Sequence, residues 1–227
     1  MTTSHLSAIS HAEDAIPGRR ERRRRETRAR IFEAAMRLFA QRGFANTPVE
    51  EITEAADVAK GTFFNYFPTK ESILEALAER QIGVIKASEL EAAAASSVYP
   101  VLHRMIHRLA DKPSSSQLLV RSLIGVALTN NTLSKFIGRV LELGRSHLAK
   151  IIERGQELGE IRTDAPALEL ARVLQQSMMG THMVWSISSR SDLDDCLDKT
   201  FAVVWRGIAV KSPVPGSANG SQKGKER

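Results

Sequence analysis

A short segment, VAKGTFFNYFPTKE (residues 58–71), combines side chains that bind nucleic acid with an unusual density of aromatic rings. Lys60 and Thr62 can donate hydrogen bonds to phosphate oxygens, and the Thr62 methyl group can contact a thymine methyl group. Asn65 can read an adenine edge or bond a phosphate. Gly61 has no side chain, which lets the backbone come close to another molecule. These residue types therefore favour a contact with double-stranded DNA.

The four aromatic residues of this segment divide between two sides of a short helix that we predict over residues 60–67. Phe63 and Phe67 lie four positions apart and share one face, where they can hold a helix too short to be stable alone. Phe64 and Tyr66 lie on the outward side with the polar residues. The alternative is that all four rings fill a small hydrophobic core, but Phe64 and Tyr66 cannot share the face of the other two.

The sequence before this segment predicts the helices that must position it. One apolar stripe indicates a first helix from about Glu26 to Gln41, formed by Ile31, Ala34, Ala35, Leu38 and Phe39. Gly43 is typical of a helix end, and Phe44 can fold back onto the stripe.

A second, short helix is predicted by a capping box, with Thr47 as N-cap, Pro48 at the first helical position and Glu50 three residues after the cap. The helix stops near Asp57. Its apolar side consists of Val49, Ile52, Ala55 and Ala56. A turn of three or four residues leads into the aromatic helix, so residues 48–67 form a helix-turn-helix, whose second helix enters the major groove.

Pro68 ends the aromatic helix, and Thr69 is predicted to cap a long fourth helix. The buried side of that helix is formed by Ile73, Leu74 and Leu77. Lys70 and the helix N-terminus present positive potential to a second phosphate.

The positive charge of the chain is concentrated before the first helix. The net charge is +6 and the pI about 9.7. Residues 19–30 contain eight Arg and two Glu, which is +6, so the other 24 basic and 24 acidic residues cancel. We expect residues 1–24 to be a disordered basic arm that binds a polyanion. The alternative is a solubilising tail with only a nonspecific effect.

Several classes of protein are disfavoured by the sequence. No secretory signal and no run of 18 uncharged apolar residues is present, so we expect a cytoplasmic protein that does not span a membrane. A membrane-surface protein that uses the basic arm lacks an apolar face beside it. The single cysteine, Cys196, excludes an intrachain disulfide. No phosphate-binding glycine loop, G-x-S-x-G or H-E-x-x-H motif is found, so neither an enzyme nor a cofactor is predicted.

The rest of the chain is predicted to be helical. Apolar patterns indicate a stripe at Leu102, Met105, Ile106 and Leu109, a central apolar helix over 118–128, and helices over 132–158, 165–188 and 192–209. The last two carry more apolar surface than one subunit can bury, which favours a homodimer. That surface comprises Leu170, Val173, Leu174, Met178, Val184, Phe201, Val204 and Trp205.

A ligand pocket is predicted only by composition. Soft, adaptable side chains suited to such a pocket are Met105, Met178, Met179, His182 and Trp185. Ordinary core or dimer packing is the alternative for each of them. His103 and His107 have the spacing of metal ligands, but no third ligand lies nearby along the chain, so we interpret them as solvated and predict no metal site.

The segment IFEAAMRLFAQRGFANTPVEEITEAADVAKGTFFNYFPTKESIL resembles the TetR/AcrR family of bacterial transcriptional regulators. The resemblance covers about Arg28 to Leu74 and rests on several features in register: the stripe, Gly43-Phe44, the Lys60-Gly61-Thr62 run, Tyr66-Phe67 and Lys70. Four positions depart from the family pattern: Asp57, Ala59, Phe64 and Asn65. They affect the operator sequence and the affinity for it. Asp57 replaces a turn glycine, and aspartate tolerates the left-handed conformation.

The resemblance implies an all-α homodimer of about nine helices per subunit, with an N-terminal helix-turn-helix domain (25–85) and a ligand-binding and dimerisation domain (86–211). The Pro-, Gly- and Ser-rich composition of residues 212–227 predicts a disordered tail. The resemblance also implies a palindromic DNA operator and a small-molecule effector that releases the protein from it. An architectural DNA-binding protein without an effector is the alternative. The expected DNA contacts are Arg28, Thr47, Pro48, Val49, Lys60, Gly61, Thr62, Phe64, Asn65, Tyr66 and Lys70.

Overall fold

The computed structural model describes residues 18–111, 116–188 and 192–210. Across these ranges the chain forms helices and a single isolated antiparallel bridge, between Ile161 and Ala209. The helices are α1 (Arg19–Arg42), α2 (Val49–Ala55), α3 (Lys60–Tyr66), α4 (Ser72–Ala94), α5 (Tyr99–Ala110), α6 (Gln117–Thr129), α7 (Asn131–Glu157), α8 (Ala167–Ile187) and α9 (Leu193–Ile208). The predicted all-α class is confirmed.

Helix α1 begins earlier than predicted. It starts at Arg19, so a start near Glu26 is wrong, and residues 19–24 are helical rather than a disordered arm. The basic run contains charge pairs at helical spacing: Arg25 Nη2 lies 2.5 Å from Glu21 Oε1, and Arg22 Nε lies 3.6 Å from Glu26 Oε1. Such pairs support an exposed helix. Residues 1–17 and the predicted tail over 212–227 lie outside the described residues.

The end of α1 follows the sequence prediction. Gly43 adopts φ +81°, and its N–H donates to the Phe39 carbonyl at 2.9 Å. Phe44 folds back, with its ring 5.0 Å from that of Phe39 in an edge-to-face contact. Glycine adopts this backbone conformation without the steric cost of a Cβ atom.

The first four helices enclose an N-terminal core that also receives two residues from later helices. Phe39, Ile52, Phe63 and Ile73 are fully buried in it. Leu119 of α6 and Leu133 of α7 belong to the same cluster. The border predicted between residues 85 and 86 falls inside the continuous helix α4. The DNA-binding unit is therefore packed against the rest of the chain.

A second core lies between α5, α7, α8 and α9. Its buried residues include Leu102, Ile152, Leu174 and Phe201. The prediction that residues 118–128 lie at the centre of the bundle is wrong. Leu119 is the one buried residue of α6, whose apolar side chains are otherwise half-buried or exposed. Among the described ranges, no helix has the length and apolarity needed to cross a membrane.

Candidate nucleic-acid interface

Helices α2 and α3 form the predicted helix-turn-helix. The turn between them contains Asp57 at φ +50°, which confirms that this aspartate takes the left-handed conformation. The Asp57 N–H donates to the Glu54 carbonyl at 3.1 Å, and the Val58 N–H donates to the Thr53 carbonyl at 3.0 Å. These two bonds fix the angle at which α3 leaves α2.

Helix α3 is held to the core by the two rings that share its inner face. Phe63 and Phe67 are buried, with ring centres 6.0 Å apart, as the spacing predicts. Phe64 is 41% exposed on the outer side. Tyr66 differs from the prediction, because it is half-buried and packs against the N-terminal core. Only Phe64 of the two outer rings therefore faces solvent freely.

The outer face of α3 presents polar groups that the protein itself does not use. Gly61 and Asn65 are exposed, and Thr62 is half-buried. No atom lies within 4 Å of the position that a Cβ on Gly61 would occupy, so the surrounding chain does not require glycine there. Within the described part of the chain, no hydrogen bond is formed by the Thr62 hydroxyl or the Asn65 amide. These groups are available to an external partner.

The lysine at the start of α3 is engaged by α2. Lys60 Nζ forms an exposed ion pair with Glu50. The hydrogen bond from Lys60 is the main cause of a lowered pKa of the Glu50 carboxyl group. Glu51, the next residue of α2, pairs with Arg42 at the end of α1. A DNA phosphate must compete with these carboxylates for each cation.

The Lys70 side chain is engaged within the protein. Its Nζ donates to the Phe44 carbonyl at 2.9 Å and to the Thr47 carbonyl at 3.0 Å, and it lies 4.5 Å from the centre of the Phe44 ring. Two of its three N–H groups are therefore used inside the protein. This amine ties the segment before α4 to the loop after α1, and its predicted contact with a phosphate stays a prediction.

Thr47 is also an internal residue. It is fully buried, and its hydroxyl donates to the Gly43 carbonyl at 2.8 Å. The predicted N-cap is wrong, because Pro48 occupies that position and no side chain caps α2. Ala55, predicted to be buried, is exposed, whereas Ala56 is buried. The Thr69 hydroxyl accepts from the Ser72 N–H at 3.3 Å at the entry to α4, but the N-cap residue of that helix is Glu71 and not Thr69 as predicted.

Three other predicted contacts lie around α3. Arg28 of α1 is held there, because its Nη2 lies 3.3 Å from Glu79 Oε2 and its guanidinium carbon lies 5.1 Å from the Phe67 ring centre. Pro48 is exposed and Val49 half-buried at the start of α2.

The N-terminal turns of α1, where exposed arginines project from a helix, are not predicted by the sequence analysis. The Arg–Glu pairs at four-residue spacing are the signal in the sequence that indicates a helix there.

The predicted ligand-pocket residues are not equivalent in the structure. Met105, Met178 and Trp185 are buried in the second core. Met179 is 45% exposed on α8 and does not belong to the second core, so its assignment to a pocket stays a prediction. His182 is half-buried, with Nδ1 2.9 Å from the Met178 carbonyl oxygen of its own helix.

The residues predicted for a dimer interface also divide into two groups. Those buried within the chain are Leu170, Leu174, Met178 and Phe201. Val204 and Trp205 are half-buried against the second core. The apolar residues that one face of α8 leaves exposed are Val173, Met183, Val184 and Ile187, and α9 adds Val203.

Comparisons with known proteins agree with this geometry. The family model described as "Bacterial regulatory proteins, tetR family" matches residues 31–77, which span α2, α3 and parts of their flanking helices. The chain is 26% identical to the HTH-type transcriptional repressor DhaR of Mycobacterium sp. strain GP1, over 78% of this chain and 92% of that protein. It is 25% identical to the repressor KstR of Mycolicibacterium smegmatis, over 86% of this chain and 92% of KstR.

A solved structure extends the similarity to the whole fold. The TetR-family transcriptional repressor FadR of Thermus thermophilus, crystallised with lauroyl-CoA, is 28% identical to this chain. The match has a TM-score of 0.58 and covers 83% of this chain and 99% of FadR. The helix-turn-helix and the helical bundle that follows it are therefore both similar to parts of one solved TetR-family structure.

Proposed function

Because the chain belongs to the TetR family of bacterial transcriptional regulators, we propose that it represses transcription by binding an operator and that a small-molecule ligand releases it. The observation that carries the proposal is the outer face of α3. Thr62 and Asn65 present unused hydrogen-bonding groups beside Gly61, on a helix that Phe63 and Phe67 hold rigidly. A pre-positioned polar helix is what reading base edges in a major groove requires.

Each group on this face has a distinct role in the proposed complex. Asn65 reads a base edge, and Thr62 bonds a phosphate or contacts a thymine methyl group. Lys60 exchanges Glu50 for a phosphate, and Gly61 lets the α3 backbone approach the DNA. The supporting contacts are Arg28, Pro48, Val49, Phe64 and Tyr66.

The basic end of α1 supplies attraction for the DNA backbone. Residues 19–30 extend about 18 Å as a helix and carry eight arginines. Arginine contacts with phosphates add affinity that does not depend on sequence and that falls with salt.

The proposed assembly is a homodimer on a palindromic operator. Val173, Val184 and Ile187 of α8 and Val203 of α9 leave an apolar face exposed that a second copy can cover. Two recognition helices about 34–36 Å apart would then enter successive major grooves. We place the dimer in the cytoplasm with its DNA, acting without catalysis.

The ligand is proposed to bind beside α6 and α7. Helix α6 buries one residue although most of its side chains are apolar, which indicates loose packing on that side of the bundle. Half-buried apolar side chains there include Leu123, Val126, Phe136 and Ile137. Met105, Met178 and Trp185 form the more distant wall of the same bundle. The lauroyl-CoA bound to FadR supports an apolar or acyl ligand.

The test is a fluorescence-anisotropy titration of the full chain against DNA from upstream of its own gene. We expect saturable binding to one palindromic segment, and Asn65→Ala should weaken it by about 1–3 kcal/mol. Asn131→Ala, an exposed asparagine at the start of α7, is the control and should bind like the wild type. Replacing Arg22, Arg23 and Arg24 with glutamine should make the salt dependence less steep.

The outcomes separate repression from an architectural role. Equal, steeply salt-dependent binding to all DNA, unaffected by Asn65→Ala, would support the architectural alternative. Release of the bound operator by acyl-CoA thioesters or another compound would support the ligand-responsive repressor. An unchanged salt dependence after the arginine replacements would show that the basic end of α1 does not contribute to DNA binding.

A further inference from the structure

A cluster of two imidazoles and a carboxylate lies between α5 and α9, away from the proposed DNA-binding face. His103 Nε2 lies 2.8 Å from Asp198 Oδ1, and His107 Nε2 lies 2.9 Å from the same oxygen. The ligand atoms of the three side chains all lie within 4.8 Å of one another. The histidines have no third partner nearby in sequence, but the fold brings one from α9, more than 90 residues further along the chain.

The fold orients each member of this cluster. His103 and His107 are four residues apart and project from one face of α5. The His103 ring stacks on Tyr99 with centres 6.2 Å apart, and it lies 5.7 Å from the buried ring of Phe201. His107 Nδ1 lies 3.0 Å from Asp194 Oδ1, which leaves its Nε2 directed at Asp198. The sequence interpretation of His107 as a solvated side chain is therefore wrong.

We propose that His103, His107 and Asp198 bind a zinc ion. Two imidazole nitrogens and one carboxylate oxygen are the protein ligands of zinc sites that keep one position open. Asp194 acts as the outer carboxylate that orients a ligating histidine through its other ring nitrogen. An open cleft of about 450 Å³, lined by these three residues with Arg104 and Arg108, leaves room for a water molecule as fourth ligand.

The geometry needs only small adjustments to hold the ion. Zinc–nitrogen and zinc–oxygen distances of about 2.0–2.2 Å in a tetrahedral site put neighbouring ligand atoms about 3.3–3.6 Å apart. His103 Nε2 and His107 Nε2 must each move less than 1 Å further from Asp198 Oδ1 than their present 2.8 and 2.9 Å. The Asp198 side chain is 52% exposed and that of His103 39%, so both can move and an ion can enter from solvent.

Two arginines beside the cleft oppose a cation, but their charge is partly offset. Arg104 pairs with Glu91 of α4, and Arg108 Nη1 lies 3.4 Å from the other oxygen of the same carboxylate. The competing explanation for the cluster is that His–Asp hydrogen bonds simply join α5 to α9 without any ion. The two explanations differ in whether the chain binds a metal with defined stoichiometry.

The experiment uses the full chain without an affinity tag, stripped of metal. Zinc is titrated in competition with a chromophoric chelator, and cobalt(II) is used as a spectroscopic substitute. We expect one ion per chain and a cobalt spectrum typical of nitrogen and oxygen ligands. Asp194→Asn should lower zinc affinity by about 10–100-fold, and Asp198→Asn, which removes a direct ligand, should lower it further.

Matched variants make the outcome decisive. His182→Ala removes a histidine of α8 whose Nδ1 faces its own helix, and it should bind zinc like the wild type. Circular dichroism of Asp198→Asn checks that the variant remains folded. Zinc should raise the melting temperature of the wild type and of His182→Ala, and should raise that of Asp198→Asn less or not at all. The proposal would be overturned if the wild type did not bind zinc, or if His103→Ala and Asp198→Asn bound zinc as tightly as the wild type. Neither result depends on DNA binding.

Discussion

Replacing Lys70 distinguishes a lysine that holds the fold from one that contacts DNA. In Lys70→Met the alkyl chain remains and the ammonium group is lost. The Phe44 and Thr47 carbonyls then lose donors at 2.9 and 3.0 Å, and the Phe44 ring loses a cation at 4.5 Å. Hydrogen bonds from a charged donor contribute about 1.5–3 kcal/mol each, and an exposed cation–π contact about 0.5–1 kcal/mol.

We expect Lys70→Met to lower the free energy of unfolding by about 2–4 kcal/mol, less than the sum because these contacts share one amine. For a chain of this size, that corresponds to a fall in melting temperature of roughly 4–16 °C. Calorimetry or circular dichroism at fixed protein concentration measures it, since the proposed dimerisation would make the melting temperature depend on concentration. The salt dependence of operator binding should not change, because the ammonium group is turned inward.

Lys60→Met is the matched control, because Lys60 is exposed and paired with Glu50 alone. It should alter stability by less than about 1 kcal/mol, as exposed ion pairs contribute little. It should also reduce the slope of log binding constant against log salt concentration by about one per recognition helix, which is the effect of one lost phosphate contact. If Lys70→Met kept full stability and Lys70 instead governed the salt dependence, the internal role of Lys70 would be refuted.

Two further substitutions test other parts of the structure. Gly61→Ala adds a Cβ that meets no atom within 4 Å, so stability should be unchanged or rise by up to about 1 kcal/mol, while operator affinity should fall about tenfold, or 1.4 kcal/mol. Gly83→Ala in α4, where the added Cβ also meets nothing, is its control in both assays and should leave affinity intact. Glu89→Gln should destabilise the chain by about 1–2 kcal/mol at pH 7. The reason is that the two Glu89 carboxylate oxygens lie 2.5 Å from His147 Nδ1 and 3.0 Å from Lys150 Nζ. Burial raises the pKa of the Glu89 carboxyl group, but those bonds outweigh it and leave the pKa below the ordinary 4.5. The stabilisation is therefore complete above that value and lost as pH falls below it. The measurement is denaturation of the wild type, Glu89→Gln and the exposed control Glu153→Gln at pH 7 and pH 3. A difference in stability between Glu89→Gln and the wild type that did not change with pH would contradict the prediction.

The N-terminal unit could be predicted because its signals act over a few residues. The spacing of Phe63 and Phe67, the stop at Gly43 and the left-handed Asp57 each depend on local geometry, and the structure agrees with all three. The predicted start of α1 is wrong for a different reason. The charge of an arginine run does not define its conformation, whereas the spacing of Glu21 and Arg25 allows a pair along a helix.

The remaining contacts that the sequence does not predict join residues that are distant along the chain. Lys70 bonds carbonyls 26 and 23 residues before it, and nothing in a lysine's identity distinguishes an inward amine from an outward one. His103 meets Asp198 across 95 residues, a separation at which helix periodicity carries no information. Such contacts follow from the packing of α5 on α9, which sequence patterns predict only as two separate helices.

The charge of the recognition motif shows why the arginines before it matter. Residues 48–67 contain four acidic residues and one lysine, a net charge of −3. Lys60 and Arg42 are moreover already paired with carboxylates of α2. A motif of this charge is repelled by DNA at long range, however well its outer face matches the base edges. Residues 19–30, with a net charge of +6, more than reverse that repulsion from the same end of the molecule. The arginines at the start of α1 are held in place because the C-terminal end of the same helix, around Phe39, packs in the N-terminal core. In the proposed complex, α1 therefore supplies most of the long-range attraction to the DNA backbone. Helix α3 reads the bases and adds the phosphate contacts of Lys60 and Thr62.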